Sequence, residues 1–393
     1  MLTIAEAQQL ILERVRPLDA ELVRVGDTAG RVLAEPAVAR VDLPPFPSSA
    51  MDGYAVRAGD TPGRLAVVAR IAAGGPATAT LEQGQAMEIS TGGVVPEGAD
   101  SVVPVEYVVS HENGIEVAEP VGVGAHVRSR GGDVRLGAVV ADAGVRVSAQ
   151  LVGALAAVGL GEVLCRRRPR VAVLTTGTEL VRPGSPLGHG QIYESNGAMV
   201  AAALAAVAET EILQTVEDSE SAHRRSLARG LEADVLLTSG GVSVGPHDLV
   251  RKIEAELGVE EVFWRVAVKP GKPVSFGVRG PTLVFGLPGN PLSSLVGCEL
   301  FVKPALRALQ GAADPLPPFE VGRLGRPVRR NPARDELLRA RSRGTDDGVV
   351  LDPVDGQESH MIVRAATADS LVFVPLGDGG LDAGDPVRYL ALR

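Results

Sequence analysis

Hydrophobic and polar positions change rhythm several times along the chain, and each rhythm predicts a different kind of element. Ile4, Leu10, Ile11 and Val15 fall on one helical face behind a Thr3/Glu6 capping-box pattern, which predicts an amphipathic N-terminal helix. Strand-like runs follow at residues 20–25 and 31–34, and then a Pro/Ser-rich loop at 43–50. From there to about residue 136 the apolar runs are short and separated by glycines, at 65–71, 86–90, 101–108 and 114–117, the pattern of a small β-rich unit. Residues 137–164 return to the character of the first forty, with a strand-like stretch at 138–141 and an apolar, charge-free stretch at 147–161. That stretch is too short to span a bilayer and reads as a buried helix.

From Val171 the rhythm alternates. Strand patterns at 171–174, 211–216, 234–237, 262–268, 274–278 and 282–285 are interleaved with helical patterns at 195–208, 223–231, 249–257 and 292–309. The last helix has Asn290 in place to cap it and Pro291 at its first position. Such alternation predicts a doubly wound α/β sheet. Residues 311–318 form a linker by composition, and short strand runs at 321–324, 336–340, 349–351, 362–366, 371–375 and 386–392 predict a C-terminal β-barrel. The expected fold class is therefore multidomain α/β plus β. A discontinuous linker domain (1–43 and 137–168) carries an inserted β-rich lid domain (44–136), followed by the α/β domain (169–310) and the C-terminal β-barrel domain (317–393).

Composition narrows the function. The 393 residues leave room for several cores, while 3% aromatics, 47 Gly and 28 Pro point to many tight turns. A net charge of −9 argues against broad nucleic-acid binding. Arg166, Arg167, Arg168 and Arg170 form the one dense basic cluster, read as a solvated segment ahead of a strand. Cys165 and Cys298 lack CxxC spacing and read as reduced structural thiols in a cytoplasmic protein. His247 and His360 are isolated, without the spacing of a zinc site.

Three loops that leave strand ends carry the candidate chemistry: SGGVSVG (239–245), KPGKP (269–273) and LPGNPLSS (287–294). Glycines turn backbone N–H groups toward an anion, Lys269 and Lys272 add charge, and the last loop opens a helix. Without a nucleophile among them, the loops are suited to holding phosphate-like groups. Asp248 can hold Mg²⁺ with a phosphate as co-ligand. The string TTGTE (175–179) offers Thr176, Gly177 and Glu179 either as ligand contacts or as a plain strand-to-helix turn. GQIYESN (190–196) reads more simply as helix capping by Ser195 or Asn196. In the lid, Asp52 is a metal ligand, a general base or a turn aspartate, and Thr91, Glu106 and the RSRGGD segment (128–133) add polar groups.

Taken together these strings resemble the molybdopterin molybdenumtransferases, the MoeA family that includes the C-terminal part of gephyrin. The resemblance rests on PPFPSSAMDGYAVR (44–57), STGG (90–93), RGGD (130–133), TTGTEL (175–180), GQIYESN, SGGVSVG, KPGKP, GLPGNPLSS (286–294) and ESH (358–360) in this order. It implies that the α/β domain binds molybdopterin. It also implies a homodimer with the active site between the α/β domain of one copy and the lid of the other. The implied reaction consumes adenylylated molybdopterin and molybdate with Mg²⁺ as cofactor, releases AMP and forms molybdenum cofactor; neither nucleic acid nor membrane takes part. A molybdopterin adenylyltransferase is the candidate partner upstream. By the same resemblance Asp52, Asp248, Lys269 and Lys272 are catalytic, with Asp248 and Asp52 as the metal carboxylates. Thr176, Gly177, Glu179, Ser239, Gly240, Gly241 and Ser243 line the molybdopterin phosphate site. Lys272, Pro273, Ser293 and Ser359 receive molybdate, and Thr91 and Asp133 support. The chain departs from the family pattern at Pro246 and Thr178, where acidic residues are frequent. A scaffold that keeps the pocket, or a tungstate-inserting relative, would use the same residues.

Overall fold

The computed structural model describes residues 1–75, 77–214, 219–240 and 249–392. A six-stranded sheet forms the middle of the chain, in the order Glu209–Gln214, Arg170–Thr175, Val235–Ser239, Thr282–Leu287, Ser275–Arg279 and Glu260–Trp264. The first four strands run parallel, Ser275–Arg279 runs against them, and Glu260–Trp264 pairs antiparallel with Ser275–Arg279. Alternation along Arg170–Thr175 sends Val171 and Val173 to one face and Ala172 and Leu174 to the other, and a separate core forms on each face. The first core also takes in Ile4, Ala7 and Ile11 of the N-terminal helix Ile4–Arg14, whose predicted capping box is present. The fold is the expected multidomain α/β plus β.

The chain before this sheet closes on itself across a long insertion. Ala20–Arg24 pairs with Glu162–Arg166, and Ala37–Val38 with Val139–Ala141. Val25, Leu33, Ala39, Val147, Leu155, Val158 and Cys165 form the core shared by these two segments. Between them lies a sheet ordered Ser101–Pro104, Gly53–Val56, Gln85–Ile89, Gly63–Ile71, Gly114–Val117 and Val108–His111. At the C-terminus, Asp335–Thr345, Gly348–Pro353, Glu320–Leu324, Pro386–Ala391 and Ser370–Val374 close into a five-stranded barrel. Among the described residues no helix is long and apolar enough to cross a membrane.

Several local expectations are corrected. Residues 362–366 form the helix Ile362–Ala365 rather than a strand, with Ala365 and Ala366 N–H groups bonded back to Met361 and Ile362. The apolar pair Ile362-Val363 suggests a strand, yet Val363 is 82% exposed and pairs with no strand among the described residues. The single strand expected at 262–268 is broken at Arg265, whose φ is 80°. This turn lets Val268–Lys269 leave the α/β sheet and pair in parallel with Asp335 and Glu336 of the barrel. The helix expected to be buried, Ala149–Ala157, buries only Leu155 within its span. Its apolarity comes mostly from alanine and glycine, which are too small to demand a core.

The helix expected at 292–309 is continuous but contains a π turn at Cys298–Val302, between Pro291–Gly297 and Lys303–Leu309. Pro304 has no N–H to return to the Leu300 carbonyl four residues earlier. Gln8 of the N-terminal helix donates its side-chain amide to that carbonyl instead, at 2.9 Å. The basic cluster is structural. Arg167 grips Asp234 through two bonds of 2.7 Å, the Arg170 N–H adds a third at 2.7 Å, and Arg166 donates to the Leu18 carbonyl at 2.8 Å.

Candidate functional site

The strands Arg170–Thr175, Val235–Ser239 and Thr282–Leu287 end level with one another, Thr175 beside Ser239 and Ser239 beside Leu287. Their loops therefore leave from one edge of the sheet, the carboxyl edge where open α/β sheets hold ligands. Backbone bonds continue past the strands: Thr176 N–H donates to the Ser239 carbonyl and Gly240 N–H to the Leu287 carbonyl, each at 3.2 Å. Gly240 has φ +89°, and a Cβ there would lie 2.7 Å from the Thr176 carbonyl oxygen. Only glycine lets these two loops approach so closely.

Asn196 ties the loops together. Its Nδ2 donates to Ser239 Oγ at 2.9 Å and to the Gly289 carbonyl at 2.7 Å. Ser239 Oγ also lies 3.3 Å from Ser294 Oγ, which donates to the Pro288 carbonyl. Asn196 is free for this because the helix Asn196–Leu204 is capped by another residue: the Gly197 N–H donates to Glu194 Oε1 at 2.7 Å, while Ser195 makes no side-chain cap bond. The capping role expected of Ser195 or Asn196 belongs to buried Glu194.

The lysine loop docks from the other side. Lys269 Nζ pairs with the buried Glu336 of the barrel at 2.9 Å, whereas Lys272 is exposed and has no ion pair among the described residues. Among the described residues of this loop, Lys272 is thus the lysine without an ion pair. Gly271, at φ +109°, lets the loop lie against the Ser293 carbonyl at the start of Pro291–Gly297, and Pro273 follows half-buried. The barrel reaches the same helix end, because the Leu292 N–H donates to the Ser359 carbonyl at 3.2 Å. Ser293, Ser359 and the lysine loop are thereby gathered at one helix N-terminus, a position that favours negative charge.

Two arginines went unnoticed in the sequence. Arg339 is 3% exposed and donates to the carbonyls of Gly356 (2.6 Å) and Met361 (3.3 Å), so it holds the Ser359 loop in place. Burial pulls its guanidinium below the usual range, opposed by Glu358. Arg265, in its left-handed conformation, lies 3.7 Å from the Trp264 ring centroid, and its N–H bonds the Val274 carbonyl. It makes no carboxylate pair among the described residues and stands directly before the lysine loop. A positive φ at a non-glycine residue leaves no mark in a single sequence. Asn196, by contrast, lay within the GQIYESN string.

The remaining expected residues fall in two places. Thr176 and Gly177 lead out of the first loop, with the exposed Glu179 carboxylate folded back against Gly177. In the lid, Asp52 Oδ1 accepts the Thr91 N–H at 2.7 Å, which anchors one oxygen and leaves the other open. Asp133 is on a separate turn and exposed, its N–H on the Leu43 carbonyl. Among the described residues no hydrogen bond or ion pair joins Asp52, Thr91 or Asp133 to the α/β loops. Gly241, Ser243 and Asp248 lie outside the described residues.

Comparison with known proteins follows the same division. The chain matches family models for the MoeA N-terminal region (domain I and II) over residues 2–159, a probable molybdopterin binding domain over 172–308, and the MoeA C-terminal region (domain IV) over 321–392. It is 33% identical to the molybdopterin molybdenumtransferase of Haemophilus influenzae, covering 98% of both chains. With molybdopterin molybdenumtransferase 2 of Mycobacterium tuberculosis it shares 39% identity, over 81% of this chain and 82% of that one. The crystal structure of a molybdopterin biosynthesis MoeA protein from Pyrococcus horikoshii superposes with a TM-score of 0.85 at 28% identity, covering 100% of each chain.

Proposed function

Since this chain belongs to the molybdopterin molybdenumtransferase (MoeA) family, we propose that it transfers molybdenum from molybdate to molybdopterin, using the adenylylated form of molybdopterin and releasing AMP. The observation that carries this reading is the joining of two anion-holding structures at one edge. The Thr176, Ser239–Gly240 and Gly289 loops, fastened by Asn196, suit the phosphates of the pterin. Beside them, Lys272, which has no ion pair among the described residues, and the N-terminus of Pro291–Gly297 suit a second, tetrahedral oxyanion. Each charge-assisted bond there contributes about 1.5–3 kcal/mol.

In this reading the residues act by position and charge. The loop N–H groups hold the substrate's phosphates, and Lys272, Ser293 and Ser359 hold molybdate next to the dithiolene sulfurs. Ion pairing with Glu336 directs Lys269 to fastening the lysine loop to the barrel. The cofactor is proposed to be Mg²⁺. The exposed carboxylates of Asp52 and Glu179 are the hard oxygen donors it takes, and Mg²⁺ is commonly held by one or two carboxylates together with substrate phosphates. When bound, it would neutralise charge on the phosphoanhydride. Asp52, with one oxygen anchored by Thr91, would come from a second copy of the chain, which makes the active unit a homodimer. Asp133 would support it from the same lid.

The test is AMP release by purified protein given adenylylated molybdopterin, molybdate or tungstate, with and without Mg²⁺. The expected result is AMP formed in step with metal transfer, dependent on both the oxyanion and Mg²⁺. Cofactor formation without AMP would remove the adenylylated substrate from the scheme.

A further inference from the structure

A second cluster of positive charge lies at the other end of the α/β sheet, and nothing in the proposed reaction uses it. A cavity of about 380 Å³ opens where the linker segments meet the end of the long helix, lined by Gly30, Arg146, Val207, Arg307, Gln310 and Asp314 among others. Val207 precedes the strand Glu209–Gln214, so the cavity faces the amino edge of the sheet, away from the loops at the carboxyl edge. The volume is that of a small-molecule site.

Two guanidinium groups from different parts of the fold line this cavity, and neither forms an ion pair among the described residues. Arg307 spends one N–H on the Leu316 carbonyl at 3.0 Å. Arg146 makes a long bond of 3.4 Å to the Gly30 carbonyl. The other donors of each have no partner among the described residues, although a guanidinium offers five. Burial pulls the Arg307 group below the usual range, Glu299 opposes this, and the nearby Arg146 charge pulls it down further, with Asp314 opposing. Glu299 is already engaged by Lys303 through a buried bond of 2.5 Å. Two like charges held together in a partly buried space are an arrangement that an oxyanion relieves.

The backbone makes the spot a junction. Gly144 has φ +82°, and a Cβ there would meet Ala313 N and the Gly311 carbonyl oxygen, each at 3.0 Å. The close approach allows Ala313 N–H to bond the Gly144 carbonyl at 3.1 Å, and Leu18 N–H bonds the Leu309 carbonyl at 2.7 Å. Gln310, 3% exposed, fixes the cavity floor by donating to the Val207 and Leu306 carbonyls. A ligand bound to both arginines would therefore bridge the linker domain and the α/β domain.

We infer that the Arg146–Arg307 cavity is a binding site for a phosphate-class oxyanion, separate from the loops that hold substrate. The shared chemistry is a tetrahedral dianion on two guanidinium forks. Its source is either free phosphate or the phosphoryl end of a small phosphate monoester, and the cavity volume favours the ester.

The test titrates full-length protein calorimetrically with inorganic phosphate and, separately, with AMP, and reads the share of binding that Arg146→Gln or Arg307→Lys removes, because the substrate loops stay intact in every variant. Saturable binding of either is expected, weakened roughly tenfold or more when Arg146→Gln or Arg307→Lys is added. Arg146 is exposed, so its variant keeps the test valid if the Arg307 variant folds poorly. A larger loss of AMP than of phosphate affinity on Arg146→Gln would identify the ester as the source, and the reverse would identify the free ion. No saturable binding of either anion, or binding unchanged by Arg146→Gln, would overturn the inference. The readout does not involve molybdenum transfer, so it stands or fails apart from the proposed reaction.

Discussion

At the scale of single residues, charge and hydrogen-bond partners separate groups that look alike in the sequence. Lys269 and Lys272 lie three positions apart in one loop, yet Lys269 is paired with Glu336, while Lys272 has no ion pair among the described residues. Lys272→Ala should therefore lower molybdate affinity roughly tenfold or more. Lys269→Ala should lower stability as well, because it leaves Glu336 buried and unpaired; oxyanion titrations alongside thermal melts of both variants check the difference. Asn196 is the other decisive residue. Asn196→Ala removes both donors that tie Ser239 to Gly289 and should cost about 1–3 kcal/mol, read in urea melts, together with slower metal transfer. Transfer at the wild-type rate would show that the loops keep their spacing without it.

At the scale of elements, side chains join one part of the fold to another. The N-terminal helix supplies Gln8 to the carbonyl that Pro304 leaves open, and the basic segment before the first α/β strand closes on Asp234. Burial pushes the Asp234 carboxyl up, but the Arg167 hydrogen bonds and the Arg170 N–H outweigh it and hold the group below the usual carboxylate range. A carboxyl depressed in the folded state stabilises fully above its unfolded value, about pH 4, and loses that contribution as pH falls through the lower folded value. Asp234→Asn should accordingly lower the melting temperature at neutral pH and flatten its fall in acid, and a series of melts between pH 2 and 7, a window of roughly this span around the carboxylate range, measures it. An acid limb as steep as that of the wild type would place the titrating group elsewhere.

At the scale of the whole molecule, the described site residues divide between the carboxyl edge of the α/β sheet, with Ser359 of the barrel beside it, and the lid. The proposed homodimer would bring the two sets together. At molybdate concentrations well below what the weakened Lys272→Ala site needs, Asp52→Ala and Lys272→Ala chains should each be inactive and folded. Mixed and refolded in equal amounts, they should recover about a quarter of wild-type activity, because half the dimers are mixed and one of their two sites is intact. If recovery is nil while mixed dimers form, Asp52 and Lys272 act within one chain.

Much of this protein was legible in its sequence, for a physical reason: periodicity, caps and glycine loops are local. The alternation after Val171 revealed the α/β sheet, and short glycine-bounded runs revealed the β-rich sheet inserted before it. What the tertiary structure alone decided were matters of contact between distant segments. It turned the chain at Arg265 so that Val268–Lys269 joins the barrel, and it made a helix of Ile362–Ala365. It gave the capping role to Glu194 so that Asn196 could bind two loops, and it set Arg146 beside Arg307. Each of these depends on which partner a side chain or backbone group meets across the fold, and no local pattern carries that information.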